Sequence, residues 1–276
     1  MRPPVDPTTA VLLCLLGVGV GAFGTLVGAG GGFVLTPVLL LLYPHDSART
    51  LTAISLAAVF FNAASGTVAY ARQRRTDFRS GIVFAAATLP GAVGGALVVG
   101  VVSRTLFDGL MGGVLAALAL WLLAGERWRR AAPSGRGTSR RLLVDREGLL
   151  HEYDVPVLRG ALYSLVVGFV SSFLGIGGGV IHVPLLVRAL GFPTHIATAT
   201  SHFVLAWLAG VGTITHVVTG SFSHGHGVHR AVALSVGVVV GAQLGARLSR
   251  RLHGNVIERL LAVALLALAA RLLFSV

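Results

Sequence analysis

The chain has no lysine, a single cysteine, Cys14, and only ten acidic residues in 276. Each shortage removes a class of chemistry. Without lysine, no glycine-rich stretch ends in the Gly-Lys-Ser or Gly-Lys-Thr of a phosphate-binding P-loop. One cysteine makes no intrachain disulfide, and its place inside the first apolar run leaves the redox compartment open. The acids avoid the middle of every long apolar run: Asp6, Asp46, Asp77, Asp108 and Glu258 stand at run ends, and the other five fall between residues 125 and 154. A cation carrier ordinarily buries a carboxylate along its path, and this sequence offers none. Charged residues make up 12% of the chain against 54% hydrophobic, with a mean hydropathy of +0.83. That is too little polar surface for a soluble domain.

What is present is a succession of apolar runs, five in each half. The first half has 8–27, a short 30–43, 48–71, 80–101 and 105–124; the second has 155–174, a short 177–190, 195–218, 229–248 and 256–274. The run at 8–27 is too long, and its leader too poor in positive charge, for a cleaved signal peptide, so it reads as a retained helix. The fold class is therefore an all-α polytopic membrane protein. Its expected organisation is a first transmembrane repeat at 1–124, a polar linker at 125–154, partly disordered or a surface helix, and a second repeat at 155–276. The short segments, at ~1.5 Å rise per residue, fall below the ~30 Å hydrocarbon core and must be tilted, joined to unwound chain, or re-entrant.

All 22 basic residues are arginine, and the net charge is +12. The arginines gather at the ends of apolar runs, which marks membrane topology and excludes a nucleic-acid surface. If every segment crosses and the linker is cytoplasmic, 17 arginines face the cytoplasm and five, Arg2, Arg49, Arg104, Arg230 and Arg271, face outside. That satisfies the positive-inside rule in a multi-pass protein of the cell (inner) membrane. Five crossings per half is odd, so the two halves are expected to be inverted repeats.

The halves repeat one another most clearly in GAGGGFVLTP at 28–37 and GIGGGVIHVP at 175–184. The likeness extends to Ala53 and Ser55 with Ala199 and Ser201, and to Gly66 with Gly212. Other glycines spaced four apart, among them Gly17 and Gly21, Gly91 and Gly95, and Gly237, Gly241 and Gly245, read as close helix packing. Three consecutive glycines do more, since each destabilises a helix by ~1 kcal/mol relative to alanine and the chain is expected to unwind there. Paired broken helices in two halves of a membrane protein point to a binding site. A dinucleotide fingerprint is excluded, because its third glycine is replaced by Phe33 and Val180.

GIGGGVIHVPLL followed by ATATSHF at 197–203, with the echo GAGGGFVLTPVLL and LTAIS at 51–55, resembles the sulfite exporter TauE/SafE family of membrane permeases. The resemblance covers nearly the whole chain outside the linker. It implies a permease for a small sulfur-containing anion such as sulfite, sulfoacetate or another organosulfonate. His182 and His202 depart from the apolar or small polar residues expected at those places.

The residue chemistry agrees with an anion. Backbone amides of Gly28, Gly30, Gly31, Gly32, Gly175, Gly177, Gly178 and Gly179, in elements closed by Pro37 and Pro184, can form an anion nest at a helix start. Thr52, Ser55, Thr200 and Ser201 add hydroxyl donors, Asn62 an amide, and His182 and His202 a titratable charge for affinity or proton coupling. The expected partners are a small anionic substrate and the lipid bilayer, with a homo-oligomer left open; no nucleic acid, cofactor or metal is implied. Neighbouring Ser201 and His202 diverge by ~100° on a helix, so they do not make a hydrolase pair. The alternative is a divalent-metal permease using the histidine tract SHGHGVH at 223–229 beside His216.

Overall fold

The computed structural model describes residues 6–123, 138–222 and 227–273. The chain forms α1 (Pro7–Leu26), α2 (Gly32–Leu42), α3 (Ala48–Arg72), α4 (Phe78–Val98, extended by the 3-10 turn Val99–Val101) and α5 (Arg104–Leu123). An antiparallel hairpin, β1 (Ser139–Val144) and β2 (Leu150–Val155), follows, then α6 (Val157–Leu174), α7 (Gly179–Arg188), α8 (Thr194–Val218), α9 (Gly227–Ser249) and α10 (Gly254–Leu273). Among the described residues seven helices, α1, α3, α4, α5, α6, α8 and α9, are long and apolar enough to cross a membrane. With 11 and 10 residues, α2 and α7 are too short to span one. Along its 20 residues α10 carries Glu258, Arg259 and Arg271.

The exterior is apolar, unlike that of a soluble protein, and the interior combines an apolar core with buried polar groups. Val11, Leu12 and Leu15 of α1, Leu158, Leu162 and Val166 of α6, and Val232, Val236 and Val240 of α9 are exposed, an apolar belt suited to lipid. Among the buried polar groups are Thr25, Thr36, Thr52, Ser55, Asn62, Ser171, Ser172, His182, Ser201 and His202.

Small residues set the closest helix contacts. Gly237, Gly241 and Gly245 of α9 lie against Cys14, Val18 and Ala22 of α1, leaving no room for a side chain, and the two helices run in the same direction. Gly91 and Gly95 of α4 meet Leu165 and Phe169 of α6 in the same way. At the centre α3 and α8 run antiparallel: Leu56 faces Gly212, Phe60 faces Gly210, and Gly66 faces His202. With α5 packed on α10, the principal pairings map onto themselves when the first five helices are exchanged with the last five.

The segment 139–155 is neither disordered nor a surface helix, as expected of the linker, but this hairpin. Its alternation buries Tyr153 and Val155, and Gly148 (φ 82°) makes the turn. The ring of Tyr153 packs on Phe192 at 4.9 Å and its hydroxyl donates to Asp77 Oδ2 at 3.2 Å. Asp77 also caps α4 through the Ser80 amide at 3.1 Å, and Arg141 Nε bonds Ser80 Oγ at 3.1 Å. The hairpin is thereby docked on the helix ends through a shared carboxylate.

Candidate functional site

Both glycine motifs are turns between helices. Gly28, Gly30 and Gly31 have φ of 80°, 75° and 80°, and Gly175, Gly177 and Gly178 have 69°, 78° and 80°. These left-handed values strain any residue with a side chain, which is why three glycines are needed rather than one. Gly31 and Gly178 are the left-handed N-caps of α2 and α7. Helix starts leave amides without intrahelical acceptors. Here the amides of Gly31, Gly32 and Phe33, and of Gly178, Gly179 and Val180, take no acceptor among the described residues.

The two turns are packed backbone to backbone in the interior. A Cβ on Gly32 would stand 2.6 Å from the Ile176 carbonyl oxygen, and one on Gly179 would stand 2.6 Å from that of Gly28. Gly30 and Gly177 both rest on Val59 and Leu205, side chains from the antiparallel α3 and α8. Pro37 and Pro184 lie inside α2 and α7, five residues past each start. They remove an amide that would otherwise bond the Phe33 or Val180 carbonyl.

The polar side chains around the turns divide into two sets. In the first, Thr36 Oγ1 lies 2.8 Å from Ser55 Oγ, and both hydroxyls lie 2.8 Å from the Gly175 carbonyl. Ser55 is therefore occupied in holding the opposite turn. Thr52, buried and against Gly175, has a hydroxyl without a partner. Asn62 Oδ1 accepts from Thr25 Oγ1 at 3.1 Å. His202 meets Thr198 O and Thr25 Oγ1, each at 3.3 Å, so both ring nitrogens are engaged. Thr200 points elsewhere, accepting from the Asp77 amide at 3.0 Å near the hairpin.

The second set surrounds a narrow void, too tight to admit a water molecule in this structure, lined by Gly177, Gly178, Gly179, His182, Ser201 and the apolar Val167, Val204, Leu205 and Leu208. Ser201 Oγ and His182 Nδ1 are buried there with no hydrogen-bond partner, and so is Ser171 Oγ, beside which a Cβ on Gly178 would sit at 3.1 Å. The tautomer of His182 follows from its neighbours. Ser164 donates its only proton to the Gly160 carbonyl at 2.7 Å, so the 3.1 Å contact with His182 is a bond from Nε2–H to Ser164 Oγ. In neutral His182, Nδ1 is then a bare acceptor; in the imidazolium it becomes a donor. A buried donor or acceptor left unpaired costs about 1–3 kcal/mol, so this grouping is costly unless it has a ligand. Three hydroxyl or imidazole groups, the amides at the start of α7 and the positive end of that helix together suit one small oxyanion.

Of the expected residues, the void thus gathers Gly177, Gly178, Gly179, His182 and Ser201. Gly28, Gly30, Gly31, Gly32, Gly175, Thr52 and Ser55 pack behind it, with Asn62 and His202 in a neighbouring network. Sequence reasoning did not select Ser171 or Ser164. They stand seven apart on α6, two helical turns on one face, a spacing legible in retrospect. A far larger groove, about 630 Å³, lies between α3, α8 and α9, but its walls are apolar save Thr213 and Ser235 and suit lipid rather than an anion. Residues 223–226 of the histidine tract lie outside the described residues, and His216 bonds Ser221 at 3.0 Å. Among the described residues no three His, Cys, Asp or Glu side chains converge as a metal site would require.

A lipid-facing bundle whose polar centre is built on two broken helices is the architecture of a multi-pass membrane carrier. Residues 13–272 match the family described as sulfite exporter TauE/SafE, and the chain belongs to that family. It is 29% identical over 216 residues to the probable membrane transporter protein YunE of Bacillus subtilis, covering 76% of this chain and 79% of that one. It is 28% identical over 238 residues to a probable membrane transporter protein of Xylella fastidiosa strain Temecula1, covering 82% and 80%. A probable membrane transporter protein of Methanocaldococcus jannaschii shares 26% over 215 residues, covering 76% and 73%. No solved structure matches the chain. The family is one of membrane transporters and not an enzyme class.

Proposed function

We propose that this protein is a permease of the cell (inner) membrane for a small sulfur oxyanion, sulfite, sulfoacetate or another organosulfonate, bound at the turn that begins α7. The observation that carries the reading is the set of buried polar groups without partners, Ser171 Oγ, Ser201 Oγ and His182 Nδ1, beside the unbonded amides of Gly178, Gly179 and Val180. Neutral donors hold an oxyanion without the trapping that a fixed charge would impose. His182 supplies the adjustable element: neutral Nδ1 accepts from the acidic hydroxyl of a protonated anion, and the imidazolium donates to a deprotonated one. This is the chemistry of proton-coupled anion movement, and it favours His182 over His202 because both nitrogens of His202 are already bonded.

The motion follows from the packing. The void is closed by Val204, Leu205 and Leu208, so loading and release need α8 and the two turns to separate. We read the halves 1–124 and 155–276 as inverted repeats rocking about the site by alternating access, with the segment between them on the cytoplasmic side. The antiparallel course of the equivalent helices α3 and α8 supports this, since a twofold axis relating antiparallel helices lies in the membrane plane. For a monovalent anion, exit from a cell negative inside is favoured by ~2.3 kcal/mol per 100 mV, so export needs no further drive, whereas uptake needs the coupled proton.

The test is flux in proteoliposomes with sulfite, sulfoacetate, taurine, sulfate and chloride, comparing the wild type with Gly178→Leu. Flux of a sulfur oxyanion that the variant loses is the expected result. No flux for any of the five sinks the proposal.

A further inference from the structure

Away from the membrane centre, where α3 and α9 end, the hairpin turn covers a second cavity of about 270 Å³. Its lining is Gln73, Arg75, Arg146, Glu147 and Arg250: three guanidinium groups against one carboxylate. The Arg146 amide donates to the Gln73 carbonyl at 3.0 Å, which fixes the turn on the end of α3. Arg75 is 5% exposed. Its Nη2 lies 3.5 Å from both Asp145 and Glu147, while its Nη1 is buried with no acceptor. Arg146 and Arg250 have no carboxylate within ion-pairing reach among the described residues. The cavity therefore presents donors in excess of acceptors and a net positive charge.

Gln73 narrows the chemistry. Its Nε2 donates to the Ala246 carbonyl at 3.1 Å, which fixes the amide orientation and leaves Oε1 buried without a donor. A ligand that satisfies this cavity accepts from two or three arginines and donates one hydrogen bond of its own. An unprotonated sulfate or sulfonate lacks that proton. Inorganic phosphate keeps at least one proton throughout the neutral range, and a phosphate monoester, whose second pKa is about 6, is partly monoprotonated there, so both provide it.

We propose that the cavity under the hairpin turn is a binding site for a monoprotonated phosphate group, either free phosphate or the head of a phosphomonoester lipid, separate from the glycine-turn site. The arginines bind the anionic oxygens and Gln73 Oε1 accepts the phosphate hydroxyl. Because the turn forms one wall of the cavity, occupancy also strengthens the docking of the hairpin on α3 and α9. Nothing here depends on which anion is transported.

The full-length protein in phosphatidylcholine nanodiscs is titrated calorimetrically with inorganic phosphate and with sulfate. In a second arm, native mass spectrometry compares retention of phosphatidic acid, a monoester, with phosphatidylglycerol, a diester. Expected is binding of phosphate in preference to sulfate, or of phosphatidic acid in preference to phosphatidylglycerol; which arm responds identifies the source of the group. The double variant Arg146→Gln with Arg250→Gln, at exposed positions, should weaken that binding by about tenfold or more with an unchanged melting temperature. Gly178→Leu should leave it intact. Failure to bind in both arms, equal affinity for sulfate, wild-type binding by the double arginine variant, or loss of binding in Gly178→Leu would each overturn the assignment.

Discussion

Gly178 and Gly179 are adjacent, yet a methyl group should harm them by different routes. Gly178 has φ 80°, and a Cβ there would lie 3.1 Å from Ser171 Oγ and 3.2 Å from Leu208 Cδ1, the ends of side chains that can rotate away. Its cost is conformational, about 1–2 kcal/mol for the left-handed backbone. The smaller entropy of the unfolded chain offsets ~0.4–1 kcal/mol of that. Gly179 has ordinary helical backbone, so propensity alone favours Gly179→Ala by up to ~1 kcal/mol. Its Cβ, however, would lie 2.6 Å from the Gly28 carbonyl oxygen and 2.7 Å from Ala29 Cα, backbone atoms that move only if the two turns part. Overpacking of this kind costs about 1–3 kcal/mol, more where no side chain can yield. Gly179→Ala should therefore melt lower than Gly178→Ala, by ~2–4 °C for each kcal/mol between them, against the order that backbone angles alone would give.

Gly32→Ala is the twin of Gly179→Ala, its Cβ 2.6 Å from the Ile176 carbonyl oxygen at the other crossing of the same turns. Once one methyl has separated the turns, the second meets a gap already opened. The double variant should cost less than the two singles together by about 0.5–3 kcal/mol. Melting of detergent-purified protein, followed by tryptophan fluorescence, measures all four states, and proteoliposome flux runs beside it. Gly178→Ala should lose flux while nearly keeping its melting temperature, because its methyl enters the void beside Ser171. Strict additivity, with each single variant within ~0.5 kcal/mol of wild type, would refute the backbone contact between the turns.

Ser201→Ala removes a hydroxyl that has no partner and should leave stability unchanged or raise it while weakening substrate affinity. Ser55→Ala, at the equivalent position, deletes bonds to Thr36 and Gly175 and should lower stability by about 1–2 kcal/mol; the two are compared by melting and by the KM for flux. Gly66→Ala places a Cβ 2.5 Å from His202 Cδ2 and should destabilise the protein, with partial rescue by His202→Ala read from the same melts. Burial pushes the Asp145 pKa up, but amides of Leu149 and Glu147, His151 and the Arg75 charge outweigh it and hold it below 3.8. A depressed folded pKa gives stability that is complete above the unfolded value and lost as pH falls through the folded one. Protection of 139–155 against hydrogen exchange, taken relative to the intrinsic rate at each pH, should thus be flat from neutral pH to about 5 and fall only below the ordinary carboxylate range, while Asp145→Asn loosens the hairpin at pH 7.

Each helix end lies within a few residues of the apolar run that announced it, because in a bilayer hydrophobic length and helix length are nearly the same quantity. The glycine turns were legible too, since no helical role explains GGG. The hairpin is hard to see in the sequence because its charge conceals its period: in RRLLV and LLHEYDV the alternation is partial, and the turn signal Asp-Arg-Glu-Gly resembles linker polarity. Thr200 looked like Ser201, but a single step along α8 turns it to Asp77 instead of the void. That Ser55 and Ser201 would differ was invisible in those residues themselves. The difference lies in what faces each from the short helix opposite.

The residue facing Ser55 is Thr36, and the equivalent position of the repeat is Val183. Thr36 gives Ser55 a partner and joins it on the Gly175 carbonyl, so the first half serves as a mount for the second turn. Val183, whose Cγ2 sits beside Gly28 as Thr36 Oγ1 sits beside Gly175, offers nothing, and Ser201 stays available. The same divergence put His182 where the first half has Leu35, and Ser171 where it has Gly24. On the proposed function, the first half serves as scaffold and the second carries the site. Val183→Thr tests this with almost no change in volume: the new hydroxyl would reach toward the Gly28 carbonyl and engage Ser201, as its counterpart engages Ser55. The variant should melt at or above the wild-type temperature, because a buried hydroxyl gains a partner, and lose substrate affinity by about tenfold for the donor withdrawn. Wild-type affinity in a stably folded Val183→Thr would show that Ser201 contributes nothing to the anion, and that the asymmetry between the halves has another cause.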